Sequence, residues 1–203
     1  MICILIIEQH LKMPKKKSTS QTSIPQWIQK ARAHWKYTGE KRPAFAEEPK
    51  DGQRSVWDFP RPPALEPTHK MLEVKHNNDV LAYSQRALAV LETASPPTYY
   101  VPPEDVVFQK LVPVSGKTSF CEWKGAAQYW ALKTKPLQAV AWSYEKPLAP
   151  FEELKDYLAF YPQYLDCYLD QERVIPQPGG FYAGWITSDL AGPFKGEPGS
   201  SHW

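Results

Sequence analysis

The stretch TSFCEWKGAAQYW, residues 118–130, concentrates side chains that could do chemistry: a thiol, an ammonium three residues later, a glycine and several aromatic rings. Cys121 beside Lys124 has the makings of an activated nucleophile, because a nearby cation stabilises a thiolate. Against that, no base can be located beside it, and Phe120 and Trp123 imply an apolar setting that raises a thiol's pKa. Cys121 therefore reads first as a small buried hydrophobe. A metal site needs four nitrogen or sulfur ligands, usually in close pairs. Cys121 has no cysteine three positions on, and His10, His34, His69, His76 and His202 show no ligand spacing, so no metal is expected. A third chemistry is recognition of an anion or a small ligand. Lys124 and Gly125 at a turn would present an ammonium and an unobstructed backbone N–H. Arg61 and Arg86 would add guanidinium groups suited to carboxylate or phosphate, and Tyr83, Tyr100, Tyr129, Trp142 and Tyr144 would supply walls. The competing reading makes those rings core and pairs the cations with Glu92, Glu104 or Asp105. Both readings stand at this point.

The elements that must position these groups are short and strand-like. "KMLEVKH", the turn residues Asn77-Asn78-Asp79 and "VLAYS" read as a hairpin. "LAVLE", "TYYV", "DVVFQKLV", "TSFCEW", "AAQYWALKT" and "QAVAWSY" continue the β-prone series. In the last of these, strict alternation puts Val140, Trp142 and Tyr144 on one face and Ala139, Ala141 and Ser143 on the other. Cys121 is expected near a strand end, with Lys124-Gly125 as the turn. Gln128 and Trp130 then share one face of the next strand, and Tyr129 takes the other. "QYLDCYLD" alternates Leu165, Cys167 and Leu169 against polar neighbours, as a half-buried strand does. Two helices are expected. One, near 24–37, is capped by Ser23 and carries Ile24, Trp27, Ile28, Ala31 and Trp35 on one stripe. The other, near 150–161, carries Phe151, Leu154, Leu158 and Tyr161 and is stopped by Pro162.

Composition bounds the whole. The chain has 203 residues, 42% hydrophobic and 13% aromatic, which suits one domain with a real core plus tails. Its 21 prolines favour turns and extended connectors over long helices. Six of them fall between Lys41 and Pro67, which reads as a wrapping connector. A net charge of +2 makes no electrostatic case for nucleic acid, and Lys15-Lys16-Lys17 reads as solvated chain. Cys3, Cys121 and Cys167 form no disulfide framework, so a cytoplasmic setting is expected. The opening "MICILII" is too short for a signal or a membrane span, and the first twelve residues are expected to be a start-site artefact ahead of Met13. The dinucleotide and P-loop glycine patterns are absent, because "GFYAGW" (180–185) lacks a strand-to-helix context.

Several motifs, in this order, carry a resemblance: "SVWDFPRPP" (55–63), "LAYSQRALAVLET" (81–93), "YYVPPEDV" (99–106), "TSFCEWKGAAQYW" (118–130), "AWSYEKPL" (141–148) and "LAFYP" (158–162). Together they resemble the domain of unknown function family 427, of the beta-tent superfamily, over about residues 55–170. The resemblance implies two antiparallel sheets packed at a steep angle. It also implies a region where wider relatives bind zinc through two CxxC pairs or hold ligands in an aromatic-walled pocket. Here the CxxC position reads Cys121-Glu122-Trp123-Lys124 and no second pair exists, so zinc does not come with it. A nucleotidyltransferase-type label has been attached to the family, but no paired-carboxylate metal site is visible in this sequence.

The expectation is a mainly β chain, a sandwich or small open barrel. Residues 1–22 form a tail, 23–54 a helix and connector, 55–170 the core, and 171–203 a Gly/Pro/aromatic extension. Its expected role is to bind a small anionic or aromatic ligand, with no cofactor, nucleic acid or membrane. The alternatives are an enzyme using Lys124 or Cys121, and a homo-oligomer assembled through the extension.

Overall fold

The computed structural model describes residues 24–203. The tail, its basic run, Cys3, His10 and the Ser23 cap lie outside the described residues. One α-helix is present, α1 (Gln26–Arg32), shorter than expected and entered from Pro25 without a side-chain cap bond. Ile28 is its buried anchor, whereas Trp27 stays largely in water, edge-on to Phe120. Trp35 lies beyond the helix and is buried separately.

The principal strands are β1 (Ala64–Pro67), β2 (Leu72–His76), β3 (Asp79–Ser84), β4 (Leu88–Glu92), β5 (Ser95–Val101), β6 (Leu111–Cys121), β7 (Gly125–Leu132), β8 (Lys135–Ser143), β9 (Leu158–Phe160), β10 (Asp166–Leu169) and β11 (Glu172–Arg173). A seven-stranded antiparallel sheet runs β1-β4-β5-β9-β8-β7-β6, and a four-stranded one runs β11-β10-β2-β3. The outer strands β1 and β6 do not pair, so the large sheet is open and no barrel closes. Pro67 sits on the edge strand β1, where a missing N–H costs the ladder nothing. The β2–β3 hairpin turns on Asn77 and Asn78, both at positive φ (51° and 68°), a conformation asparagine tolerates well.

The small sheet packs on one face of the large one. Leu72, Val74 and Leu81 meet Ala89, Leu91, Val101, Val140 and Phe160 in a common core. The other face of the large sheet is also buried, and this second layer positions the site. Leu88, Val90, Tyr100, Cys121, Tyr129, Trp142 and Tyr144 form a separate cluster covered by Trp35, Phe151, Leu154 and Ala183. The sheet is thus apolar on both sides, which is why "LAVLE" has no polar alternation.

Three expectations are corrected. The segment 150–161 is no helix: a 3-10 turn at Glu152–Leu154 gives way to β9, which pairs with both β5 and β8. The helical spacing of Phe151, Leu154 and Leu158 is real, but a central position in a seven-stranded sheet outweighs local preference, and Asp156 at φ 63° breaks the run. In β8 the alternation slips. Trp130 pairs Ala141 while Ala131 pairs Ala139, so Val140 bulges out to join the inter-sheet core, away from Trp142 and Tyr144. "DVVFQKLV" holds two 3-10 turns before its strand begins at Leu111.

The extension after Arg173 has little regular structure yet is bound into the fold. Leu190–Ala191 pair in parallel with Arg54–Ser55, and Ile175–Pro176 pair with Trp185–Ile186. Trp185 is fully buried, with Nε1 donating to the Phe160 carbonyl at 3.3 Å. Trp57 Nε1 likewise donates to the Pro193 carbonyl at 3.1 Å. The aromatic residues here therefore staple the extension onto its own chain. No helix among the described residues is long and apolar enough to cross a membrane.

Candidate functional site

Strand periodicity carries Glu92 into the second buried layer. Leu88, Val90 and Glu92 alternate with Ala89 and Leu91, so the side that takes the first two also takes a carboxylate. A buried carboxylate needs a partner, and Arg61 supplies one from the proline connector. Its Nε lies 3.2 Å from Glu92 Oε1, with both side chains almost entirely out of water. Two further bonds go to backbone: Nη1 to the Tyr37 carbonyl at 3.0 Å and Nη2 to the Thr93 carbonyl at 2.8 Å. Burial alone would push the Glu92 carboxyl up. Surrounding positive charge, that of Arg61, Lys124 and Lys195 included, pulls the other way, and it is held below the usual glutamate value.

The turn Glu122–Lys124 links β6 to β7, with Cys121 opposite Gly125 in register. Gly125 sits at φ 95°, and a Cβ there would come 3.3 Å from Leu148 Cγ, so the turn demands glycine. The tight turn directs Lys124 inward, where it is 3% exposed and 5.6 Å above the Phe151 ring. Glu122 is buried as well. Its Oε1 accepts from Trp35 Nε1 at 3.2 Å, and its carbonyl accepts from Arg32 Nε at 2.9 Å. Glu122 Oε2 and Trp123 Nε1 are buried with no hydrogen-bond partner among the described residues.

Lys195 completes the group. It is fully buried, with Nζ donating to the Trp203 carbonyl at 2.6 Å. Burial, helped by the Arg61 cation, pushes its ammonium down to about 8. The Trp35 indole binds the set together: Arg61 lies 4.4 Å and Lys195 3.7 Å from its ring centroid, while its N–H serves Glu122. Arg61, Lys124 and Lys195 thus share one buried neighbourhood with the carboxylates of Glu92 and Glu122.

In front of this group lies a small cavity of about 40 Å³. Its polar floor carries Glu92, Lys124, Ser95, Thr98 and Ser119, and its walls are Tyr100, Tyr129, Trp142, Tyr144, Tyr161 and Tyr182. Burial pushes the Tyr100 hydroxyl up to about 12, so it is a neutral donor at ordinary pH. Ser119 Oγ and Tyr129 Oη are hydrogen-bonded at 2.7 Å across neighbouring strands. The C-terminal extension roofs the space: Gln177 accepts from the Gly184 N–H and donates to the Lys195 carbonyl, fixing the loop that carries Phe181 and Tyr182.

Of the residues expected at a site, Tyr100, Lys124, Tyr129, Trp142 and Tyr144 line this cavity, and Gly125 shapes the turn behind it. Arg61 stands behind Glu92, paired as the competing reading had it. Arg86 is elsewhere: it is exposed, with Nη2 2.8 Å from Asp105 and 3.8 Å from Glu104. Tyr83 is half in water, outside the cavity. Cys121 is fully buried among apolar side chains. No cluster of three or more histidine, cysteine, aspartate or glutamate residues able to hold a metal occurs among the described residues.

Sequence reasoning missed Glu92, Glu122 and Lys195 as site groups. Glu92 did leave a signal, because it continues a strand buried on both faces. Lys195 left none, since an irregular Gly/Pro segment has no periodicity to read.

Among known families, one described as a domain of unknown function (DUF427) has a model that matches residues 64–171. That span covers strands β1 to β10 and the Lys124 turn. No curated protein matches the chain.

Proposed function

This chain belongs to the DUF427 family, and we propose that the small cavity on its large sheet binds a compact anion at Lys124. The observation that carries this reading is a buried ammonium at the floor of a cavity: Lys124 is 3% exposed, and the cavity's sides are tyrosine and tryptophan. Low local dielectric makes each charge there count for more than it would in water. A carboxylate or phosphate group reaching Lys124 would form a charge-assisted hydrogen bond, with the tyrosine hydroxyls beside it as further donors. Arg61 donates to three acceptors, Glu92 among them, and acts as a positioning group for that carboxylate. A thiol-based reaction has less in its favour, since Cys121 is sealed from solvent.

Thermal denaturation against a panel of small carboxylates and phosphates, each with a neutral isostere, tests the proposal. An acid present at 100 times its Kd adds about 2.7 kcal/mol to stability. The expected result is a shift for the acids, none for the isosteres, and loss of the shift in Lys124→Met. Equal shifts for acids and isosteres, or shifts that persist in Lys124→Met, would overturn it.

A further inference from the structure

Beside the chamber, with the Tyr129 ring as a wall common to both, lies an open groove of about 410 Å³. Size separates the two spaces. At about 10–15 Å³ for each water-sized position, the chamber takes about three such positions and the groove on the order of thirty. Only the groove has room for a ring system.

The groove also carries a charge of its own. Among the described residues, Lys117 on β6 is the only charged side chain that lines it, and Lys117 makes no ion pair there. The ammonium is nevertheless held in place. Nζ lies 4.7 Å from the centroid of the Tyr129 ring, and that ring is fixed by the 2.7 Å hydrogen bond between Tyr129 Oη and Ser119 Oγ. A ring face steadies a cation without cancelling its charge. The apolar part of the lining is Leu137 on β8, Tyr161 and Tyr164 after β9, and Phe181 in the extension. Leu137 is 92% exposed and Tyr164 44% exposed. The Tyr161 and Tyr164 rings stand 6.1 Å apart at a tilt of 55°. Gln163 Nε2 donates to the Tyr182 carbonyl and so ties the Tyr164 segment to the loop that carries Phe181. Walls fixed in advance lower the ordering cost of binding.

We propose that this groove is a second binding site, for an aromatic carboxylic acid of one or two rings. The carboxylate pairs with Lys117, and the flat body lies against Leu137, Tyr164 and Phe181. A single ammonium with no acid among its neighbours in the groove complements a singly charged head. Covering Leu137 and Tyr164 removes apolar surface from water, and the tyrosine and phenylalanine rings favour an aromatic body over an alkyl one. The site is independent of Lys124 and stands whether or not a compact anion binds in the chamber.

Isothermal titration of the full-length protein with 2-naphthoate and its neutral counterpart 2-naphthamide tests the proposal, alongside Lys117→Met, Leu137→Ser and Tyr164→Ala. All three positions are exposed, so the variants are expected to fold, with urea midpoints unchanged. Naphthoate should bind the unaltered protein at least about tenfold more tightly than naphthamide, and Lys117→Met should abolish that preference. Leu137→Ser and Tyr164→Ala should each weaken both ligands several-fold and keep the preference for the acid. Equal affinity for acid and amide, or a preference that survives Lys117→Met, would overturn the proposal. So would naphthoate binding that ignores both Leu137→Ser and Tyr164→Ala, which would place the acid outside the groove, or no binding at millimolar naphthoate. If light scattering of the ligand-free protein shows an oligomer that Leu137→Ser dissociates, the groove is a contact between copies of the chain and the proposal fails.

Discussion

Replacing Arg61 by methionine tests whether the buried charge group is one energetic unit. The substitution keeps much of the side chain's length and removes only the guanidinium. It strands Glu92, whose carboxylate loses a partner 3.2 Å away in a setting almost closed to water. Removing one member of a buried pair costs about 3–5 kcal/mol. The Tyr37 and Thr93 carbonyls also lose their donors, at about 1 kcal/mol each. Lys124 and Lys195 remain within reach of Glu92 and offset part of the loss. The net expectation is about 4 kcal/mol, which for a chain of this size lowers Tm by roughly 8–16 °C. Urea unfolding followed by tryptophan fluorescence measures it. Adding Glu92→Leu to Arg61→Met should recover more than about 1 kcal/mol, because the stranded charge is gone. The linkage has a definite sign. Glu92 is held below its unfolded value of 4.5, so its contribution is present above pH 4.5 and is lost as pH falls through the lowered folded value. That acid limb should be shallower in Arg61→Met. A single-variant loss below about 1 kcal/mol, or strict additivity in the double variant, would mean that Arg61 and Glu92 are not coupled as a buried pair.

Other consequences can be measured on the same protein. Lys195 is held near 8 in the folded state against 10.5 when unfolded, so between those values the unfolded chain binds more protons and stability should rise with pH. Urea midpoints at pH 7.5 and 10 should show that rise in the unaltered protein and lose it in Lys195→Met; a flat comparison would remove the lysine's burial from the account. Gly125→Ala should cost about 1–3 kcal/mol, from a positive φ and the approach to Leu148, and should weaken acid binding through the Lys124 turn. Cys121 and Cys167 are both buried and should resist alkylation until urea unfolds the chain, as read by peptide mass mapping. Rapid modification of Cys121 in the native state would revive a thiol chemistry.

Local signals in the sequence reported local geometry well. Asn77-Asn78 marked a hairpin because two left-handed residues in succession suit few other side chains, and Gly125 marked the Lys124 turn for the same reason. The segment 150–161 misled because Phe151, Leu154 and Leu158 satisfy helical spacing while Leu158–Phe160 is claimed by strands on both sides. A single bulged residue, Val140, was enough to send it to the opposite face from Trp142. The aromatic half of the site was legible, since Tyr100, Tyr129, Trp142 and Tyr144 sit on regular strands. Its charged half was legible only in part: Lys124 and Arg61 were named, but their grouping with Glu122 and Lys195 was not. Arg61, Trp35 and Lys195 come from irregular segments far apart in the chain, and only tertiary packing brings them around one indole. Arg86 had the right chemistry, but the 3-10 turn at Pro103–Asp105 sets Asp105 beside it on the surface.

Whether an anion binds at Lys124 inside the aromatic chamber is visible in a crystal of the protein soaked in sodium bromide, through the anomalous signal of bromine. The prediction is one bromide inside the chamber within hydrogen-bonding reach of Lys124 Nζ, absent in Lys124→Met. Bromide found only at the surface, with the chamber unchanged in well-diffracting crystals, would contradict it.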